Sequence, residues 1–312
     1  MVSGFKKEFG FLIITMFLWG ISWPVGKILV DHAPPMSIGF FRFLIAFTFF
    51  FPVIFYFRNS ISINKQTIKG YFLLGLTGIF GYGIFFLVGL TFTTAVQGSI
   101  IAGANPAIIA LIAHIVHKER LKERWRYWGF VLSFLGVIFV VGIQALIDFK
   151  PEYLIGNILI LLAMVCWGTY SNIGKKFMEN HSSLEATSGA VFFGMLLFGT
   201  GAIAENFWSL PLMDDIVFWT GVLVLGFLVT FIGFFLYFTS VQSIGATSAG
   251  IFINLVPIFG TFFSAILLNE TIQFSFVIGL VLISSGIFLI NMPESMLKRK
   301  KASLTIISET TV

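Results

Sequence analysis

The chain has 312 residues, of which 57% are hydrophobic and 11% charged, and its mean hydropathy is +0.98. Soluble domains are about one quarter charged, so this composition excludes a soluble globular protein and predicts an integral membrane protein. The pI of 9.3 reflects the basic residues of a membrane topology and does not indicate a nucleic-acid partner.

Ten apolar stretches follow one another along the chain, each close to the roughly 20 residues that a membrane-spanning helix needs. The predicted spans are Phe9–Val30, Met36–Phe57, Ile68–Leu90, Ala95–His117, Trp125–Leu146, Ile155–Phe177, Leu184–Ala204, Ile216–Ser240, Ala246–Leu268 and Phe274–Asn291. The first is too long for a signal peptide and lacks a cleavage site of small residues, so it is interpreted as a retained helix. The sequence therefore predicts an all-α polytopic membrane protein.

The basic residues predict the orientation of these spans. If the ten spans alternate in direction, sixteen Lys and Arg residues between and around them lie on one side, and only Lys150 lies on the other. Cytoplasmic loops hold an excess of Lys and Arg, so the basic side is the cytoplasm. We expect a protein of the cell (inner) membrane with both termini cytoplasmic, and residues 293–312 form a basic and polar cytoplasmic tail.

An internal repeat divides the chain. The pattern Trp-Gly, five residues, Gly-Lys begins at Trp19 and again at Trp167. A displacement of 151 positions relates four further pairs, which are Gly75 and Gly226, Ala95 and Ala246, Pro106 and Pro257, and Glu119 and Glu270. Residues 1–147 and 148–292 are therefore predicted to form two five-helix repeats, inverted because each has an odd number of spans. Inverted repeats support alternating access around a site near the bilayer midplane.

Three local patterns accompany the repeat: the twin Trp-Gly helices, the stretch FFRFLIA at Phe40–Ala46, and proline-bearing helices that end at HKERL and LLNETI. Together with ten spans, they make the chain resemble the ten-helix EamA-type transporters of the drug/metabolite transporter superfamily over about Phe9–Asn291. The resemblance implies a basket of helices around a central cavity, and export or uptake of small metabolites such as amino acids.

Aromatic and polar side chains share one face of the first span, where helical spacing aligns Trp19, Ser22 and Trp23. The sixth span repeats this face, and the two faces are expected to meet at the centre as a site for a small amphipathic solute. The candidate substrate-binding residues are Trp19, Ser22, Trp23, Tyr82, Phe86, Asn105, Trp167, Tyr170, Ser171, Asn172, Phe234, Tyr237 and Asn254. The alternative is packing, with indoles between helices and polar groups bonded to backbone carbonyls.

Proline and charge add two further expectations. Pro24, Pro106 and Pro257 are predicted helix bends that help gating. Lys27 and Arg42 are the charged residues within the spans, where charge is costly. Lys27 is expected to reach the outer surface beside Asp31, and Arg42 to have a structural role in pairing or carbonyl binding.

No Asp or Glu lies deep inside a predicted span. This disfavours direct exchange of a proton for substrate on a membrane carboxylate, and it leaves facilitated diffusion or coupling through another group. His114 and His117 fall at the cytoplasmic end of the fourth span, which favours interfacial histidines over a metal site. The sequence has no P-loop and no nucleophile elbow, so an enzyme is not expected.

The sequence thus predicts a secondary transporter, either an exporter or a facilitator, of small amphipathic metabolites, with aromatic or other amino acids first. The alternatives are an exporter of lipophilic or quaternary cations, since indole faces also bind cations, and then a channel or a membrane-embedded enzyme. The expected partners are a small-molecule substrate and the lipid bilayer, with no nucleic acid, cofactor or metal. The chain is expected to be a monomer or a weak dimer.

Overall fold

The computed structural model describes residues 2–56, 64–117, 125–147, 151–212, 214–244, 249 and 252–291. The predicted tail at residues 293–312 lies outside the described residues, and so do Glu119 and Ala246 of the repeat pairs. Ten of the basic residues behind the orientation lie outside them as well: Arg58, Lys118, Arg120, Lys122, Arg124, Lys150, Lys298, Arg299, Lys300 and Lys301.

Helices account for the architecture of the described residues, which contain no β-strand. In chain order they are α1 Val2–Val30, α2 Pro35–Tyr56, α3 Lys65–Phe92, α4 in two parts at Ala95–Ala102 and Asn105–His117, α5 Trp125–Ile147, α6 Pro151–Phe177, α7 Ser183–Ala204, α8 Ile216–Ile244, α9 Leu255–Leu267 and α10 Phe274–Asn291. Six of these helices are long and apolar enough to cross a membrane alone, and the two parts of α4 together make a seventh. The protein is an all-α polytopic membrane protein, as predicted.

Large apolar side chains face outward along these helices. Phe51, Ile115, Trp128 and Phe262 are each more than half exposed, whereas Phe86 in α3 is fully buried. Helices that are apolar on all sides are typical of membrane spans, because lipid covers the outer face while packing covers the inner one. The helices therefore expose apolar side chains to the bilayer and turn another set toward a common core.

Polar side chains fix several helix starts. The Thr94 hydroxyl accepts a hydrogen bond from the third backbone N–H of α4, and Ser182 does the same at the start of α7. Asn64 caps α3, and the Asp215 carboxylate accepts from the N–H of Phe218 in α8. Such caps satisfy the N–H groups that a helix start leaves free. Each of these capping side chains thus defines where its helix begins.

Two helices contain a π-helical segment, Gly75–Gly81 in α3 and Val224–Ile232 in α8. A displacement of 151 positions maps the first segment onto residues 226–232, which lie inside the second. π-Helical segments are rare and are frequent at functional sites. The two segments therefore mark equivalent places in the two halves of the chain.

The three prolines predicted to bend helices lie in two kinds of place, at the start of a helix or inside one. α4 bends by 42° between its two parts, and Pro106 lies in the first turn after the break. Pro257 also lies in a first turn, that of α9, directly after a turn at Ile253 and Asn254. Pro24, by contrast, lies inside α1, which is helical without interruption from Val2 to Val30. A proline in a first turn replaces an N–H that has no partner in the helix, so Pro106 and Pro257 mark helix starts.

The largest contacts between helices of the two halves occur in matched pairs, related by exchanging α1–α5 with α6–α10. α1 packs against α8 and α9, and correspondingly α6 packs against α3 and α4. α2 contacts α7 and α8, while α7 contacts α3 as well as α2. α4 packs against α9, and α5 packs against α10. Helices α1, α3, α6 and α8 therefore lie at the centre, and the α5–α10 pair lies beside them.

Carboxylates tie the two halves together at one end of the helices, which we call the acidic face and define by Glu205, Asp215 and Glu270. Glu205 accepts hydrogen bonds from the backbone N–H groups of Met36 and Ser37 at the start of α2, at 3.1 and 2.7 Å. Glu270 accepts in the same way from the first two N–H groups of α4, at 2.9 and 2.7 Å. Negative charge at a helix N-terminus is stabilising, so each carboxylate links the second half to a helix of the first.

Two further contacts close the acidic face. His32 Nδ1 lies 2.8 Å from an Asp215 carboxylate oxygen, and the pKa of Asp215 is lowered by the N–H of Phe218 and by His32. Lys27 Nζ donates to the carbonyl of Leu90 at 2.7 Å, where the sequence suggested Asp31 as its neighbour. The acidic face is therefore held by hydrogen bonds between elements distant in sequence.

Candidate functional site

A cavity of about 70 Å³ lies between α1, α2, α3, α4, α6 and α8 and the first turn of α9. Its lining residues are Trp19, Ser22, Trp23, Arg42, Tyr82, Ala102, Asn105, Met164, Trp167, Val229, Phe234, Ile253 and Val256. Sites for drug-sized solutes usually measure about 300–1,000 Å³. The central cavity is therefore smaller than a site for a drug-sized solute.

Aromatic rings from both halves of the chain form one wall of the central cavity. The rings of Trp19 and Trp167 lie 6.1 Å apart, so the two Trp-Gly helices meet at the centre. Phe234 lies 5.5 Å from Trp19 and 6.0 Å from Trp167, and Tyr82 lies 5.3 Å from Trp167. These separations are typical of aromatic pairs in contact. The arrangement offers indole and phenyl surfaces to an apolar part of a solute.

Three predicted site residues form a second layer behind this wall. Phe86 packs against Trp23 at 4.9 Å, and Tyr170 lies 5.3 Å from Trp167. Tyr237 lies 5.2 Å from Trp19. None of the three is among the described residues that line the central cavity. In this conformation they support the wall, and their contact with a substrate stays a prediction.

The predicted hydroxyl groups are hydrogen bonded within their own helices. Ser22 Oγ donates to the carbonyl of Trp19 at 2.6 Å, and Ser171 Oγ donates to the carbonyl of Trp167 at 2.8 Å. Ser22 lines the central cavity, whereas Ser171 does not. The packing alternative thus describes the hydrogen bonds of both serines.

Two asparagines lie at helix starts and, unlike the serines, have a side-chain oxygen without a hydrogen-bond partner among the described residues. Asn105 begins the second part of α4 and lines the central cavity, and Asn254 precedes the first turn of α9. Asn105 is 8% exposed, and neither Asn105 Oδ1 nor Asn254 Oδ1 has a hydrogen-bond partner among the described residues. Buried polar atoms normally have partners, and an exception indicates an unmade interaction. Asn105 therefore lines the cavity and has a buried acceptor without a partner among the described residues.

Asn172 lies on a separate vestibule at the opposite end of the helices from the acidic face. We call this end the basic face and define it by Lys65, Lys69, Lys175 and Lys176. The vestibule has a volume of about 670 Å³ and is lined by Asn64, Gln66, Thr67, Ile112, Thr169, Asn172, Ile173, Lys176, Phe177, Glu179, Asn180 and His181. The side-chain amide of Asn172 donates to the carbonyls of Ile109 and Gly168, at 3.1 and 2.9 Å.

Next to the vestibule, a buried carboxylate lies in the first turn of α7. Glu185 is 7% exposed, accepts a hydrogen bond from the Tyr71 hydroxyl and lies 3.0 Å from His181 Nδ1. The ring of His181 stacks on Phe177 at 4.2 Å. These contacts bind the starts of α3 and α7 to the end of α6. Glu185 lies in the first turn of its helix, in keeping with the absence of acids deep in the spans.

Arg42 is a cavity residue whose hydrogen-bond partner differs from those that the sequence suggested. It is 6% exposed, and its Nε donates to Thr230 Oγ1 at 3.2 Å, while its Cζ lies 5.0 Å from the Phe43 ring. Its partner is a hydroxyl, where the sequence suggested an ion pair or a backbone carbonyl, and the side chain lines the central cavity. The available signal was the charge itself, because an ionisable residue inside a span indicates a functional site.

The other cavity residues absent from the sequence prediction are apolar: Ala102, Met164, Val229, Ile253 and Val256. The helices that carry them are apolar on nearly every side. Hydrophobic periodicity identifies an inward face only when the outward face is polar, and lipid removes that contrast. No sequence signal therefore separated these residues from apolar neighbours that face lipid.

Apolar helices of the described part of the chain enclose an aromatic-lined cavity, with a polar vestibule at one end, and define a polytopic membrane protein with a central cavity. The profile of the EamA-like transporter family matches residues 7–142 and again residues 154–292. The chain belongs to this family and is a transporter.

The relatives that this chain is similar to agree with this assignment. The uncharacterized transporter YyaM of Bacillus subtilis is 27% identical over 89% of this chain and 90% of its own length. A probable amino-acid metabolite efflux pump of Salmonella typhimurium is 26% identical over 91% of this chain and 95% of its own length. A solved crystal structure with 17% identity covers 89% of this chain and 94% of its own chain at a TM-score of 0.63, which shows a common fold.

Proposed function

We propose that this protein is a secondary transporter of small amphipathic metabolites, aromatic amino acids first, which bind in the central cavity. The observation that carries the proposal is the meeting of Trp19 and Trp167, one from each half, beside the free acceptor of Asn105. Aromatic walls bind the apolar part of a solute, and a few polar groups orient its polar part. The name of the Salmonella typhimurium relative, a probable amino-acid metabolite efflux pump, supports the same substrate class.

Transport proceeds by alternating access between two inverted repeats, residues 1–147 and 148–292. The paired helix contacts support this, because exchanging α1–α5 with α6–α10 reproduces the largest contacts between the two halves among the described residues. The π-helical segments of α3 and α8 also occur at equivalent positions, and so do Pro106 and Pro257, each in the first turn of a helix. Two equivalent halves give two arrangements of similar energy around one site.

The protein lies in the cell membrane with its basic face and both termini in the cytoplasm. Lys65 and Lys69 begin α3 and Lys175 and Lys176 end α6, so these four residues gather at one end of the described helices, as the positive-inside rule requires. The vestibule opens at this basic face, whereas hydrogen bonds hold the acidic face closed. Trp167 lines the cavity and Asn172 lines the vestibule, so α6 leads from one to the other.

Lipophilic or quaternary cations are the second candidate substrates, since indole rings attract cations. Arg42 disfavours them. It places a permanent positive charge on the wall of the central cavity, and none of the described residues on that wall is a carboxylate. A cation would meet repulsion there without a counter-charge.

The first experiment measures uptake of labelled phenylalanine and tryptophan, and of one quaternary cation, into proteoliposomes with and without a proton gradient. We expect saturable uptake of the amino acids, and we expect Trp167→Ala to lower it at least tenfold because one side of the aromatic wall is lost. Trp128→Ala is the matched control, since Trp128 is 66% exposed toward lipid and should transport normally. Unchanged uptake in Trp167→Ala, or uptake of the cation alone, would contradict the proposal.

A further inference from the structure

We propose that Arg42 binds the carboxylate of the transported solute, and that Asn105 Oδ1 accepts a hydrogen bond from its amino group. The inference rests on the proposed function and narrows its substrate class to carboxylates that carry an N–H donor, such as α-amino acids. Both side chains line the central cavity, and both are more than nine-tenths buried.

The first step of the argument is the charge of Arg42. A guanidinium stays protonated in proteins, and a buried charge is unfavourable unless it is paired. Across the part of the chain that the structure describes, Arg42 has no ion pair, and its nearest hydrogen-bonded neighbour is a neutral hydroxyl. Any anion that enters the cavity supplies the missing counter-charge.

The second step is the geometry of the guanidinium. Thr230 lies in the π-helical segment of α8, and its hydroxyl donates to the carbonyl of Leu225 at 2.7 Å. The hydroxyl oxygen is thereby directed toward Arg42 Nε and accepts its N–H at 3.2 Å. This bond uses one of the five N–H donors of Arg42. The fork formed by the other donors matches a carboxylate, which binds guanidinium with two parallel hydrogen bonds.

The third step is the acceptor at the break of α4. Asn105 Oδ1 is buried and lacks a partner among the described residues, while the cavity that Asn105 lines is also lined by Trp19. An ammonium group is a donor without acceptor capacity, and it is attracted to both an amide oxygen and an indole face. A zwitterion satisfies Arg42 and Asn105 together, whereas a simple cation satisfies one and is repelled by the other.

The fourth step concerns size. A cavity of about 70 Å³ holds a few water molecules and no aromatic amino acid. The rings of Trp19, Trp167 and Phe234 must separate before the solute enters, while Thr230 keeps the guanidinium in position. The guanidinium of Arg42 therefore keeps its position when the solute binds, whereas the aromatic rings of the wall move apart.

The test measures competition against labelled phenylalanine in proteoliposomes by four unlabelled solutes: phenylalanine, phenylalaninamide without the carboxylate, 3-phenylpropanoate without the amino group, and phenethylamine without the carboxylate. In the wild type we expect phenylalanine to compete at least tenfold better than the amide or the amine. Arg42→Gln should weaken competition by phenylalanine roughly 30-fold, as expected for a lost charge-assisted hydrogen bond. The same variant should change competition by the amide by less than about threefold. Asn105→Leu should remove the advantage of phenylalanine over 3-phenylpropanoate.

The controls separate binding from folding. Lys69→Gln neutralises an exposed basic residue outside the cavity and should leave all ratios unchanged. Arg42→Lys keeps the charge without the fork and should restore part of the discrimination. If Arg42→Gln does not fold, Thr230→Val keeps the guanidinium but removes its hydroxyl partner, and it should lower the preference for phenylalanine over the amide about fivefold.

The outcomes distinguish the two proposals. Equal competition by phenylalanine and phenylalaninamide in the wild type would overturn the assignment of Arg42, and so would an unchanged ratio between these two competitors in Arg42→Gln. Transport of aromatic solutes would stand in either case. Stronger competition by phenethylamine than by phenylalanine in the wild type would overturn the assignment and retain an amphipathic substrate. Absence of binding and transport for the whole panel would overturn the proposed function and this inference together.

Discussion

At the scale of the residue, Glu270 is a half-buried carboxylate that caps a helix from a distant part of the chain. Its two oxygens accept from the N–H groups of Ala95 and Val96. Burial raises the pKa of Glu270, while these N–H groups and the charge of Lys27 lower it. Because burial is the largest effect, the folded protein binds this proton more tightly than the unfolded chain does.

The sign of the resulting pH dependence follows from that difference. The contribution of Glu270 to the free energy of unfolding is present below its unfolded pKa and is lost as the pH rises through the raised folded pKa. Glu270→Gln removes this titration, so the Tm of the variant relative to the wild type should rise with pH across that range. Thermal unfolding in detergent measures the difference, and Asp214→Asn, at an exposed residue of the same face, is the control. A Tm difference independent of pH would contradict this prediction.

At the scale of the element, α2 and α8 approach each other at a glycine of the π-helical segment. A methyl group at Gly226 would lie 2.6 Å from the Arg42 carbonyl oxygen and 2.9 Å from Ile45 Cβ. The first of these partners is backbone and cannot move aside without shifting α2. The close approach allows the Thr230 hydroxyl of α8 to reach Arg42 Nε.

Gly226→Ala therefore tests the packing of these two helices. Overpacking at such a contact costs about 1–3 kcal/mol, so we expect a lower Tm in detergent. The matched control is Gly10→Ala in α1, where a methyl group meets nothing within 4 Å. Alanine favours helix by about 0.5–1 kcal/mol over glycine, so Gly10→Ala should keep or raise the Tm. Equal Tm values for the two variants would show that α2 and α8 separate freely.

At the scale of the whole molecule, the two ends of the helix bundle differ. Glu205, Glu270 and the His32–Asp215 pair join the halves at the acidic face, and the vestibule lies at the basic face. Alternating access requires the acidic face to open and the basic face to close during each cycle. The hydrogen bonds of the acidic face must then break and reform.

Locking the acidic face should stop transport. In a background with Cys166→Ser, the double variant His32→Cys, Asp215→Cys is treated with a short, cleavable bifunctional thiol reagent, since the two native side chains lie 2.8 Å apart. We expect proteoliposome counterflow to fall to the level of empty vesicles and to return when the linker is cleaved. The two single-cysteine variants, treated in the same way, should keep their activity. Full counterflow after complete cross-linking would mean that this face stays closed throughout the cycle.

The sequence by itself determined the helical architecture and named several residues that line the central cavity. Lipid offers no partner to backbone N–H and C=O groups, so ten apolar stretches had to become helices. The repeated Trp-Gly pattern then identified Trp19 and Trp167, which meet at the central cavity together with Tyr82, Asn105 and Phe234. These residues were predictable because aromatic and amide groups at helical spacing stand out in an apolar span.

Only the tertiary structure decided which neighbours complete the site. Arg42 lines the cavity because α2 packs closely on the π-helical segment of α8, and that distance depends on residues far apart in the sequence. Met164 and Val229 line it because their helices turn these sides inward, although lipid and protein core select the same apolar residue types. Tyr170 is held behind Trp167 for the same reason: packing between helices, and not helical spacing alone, decides which rings reach the cavity.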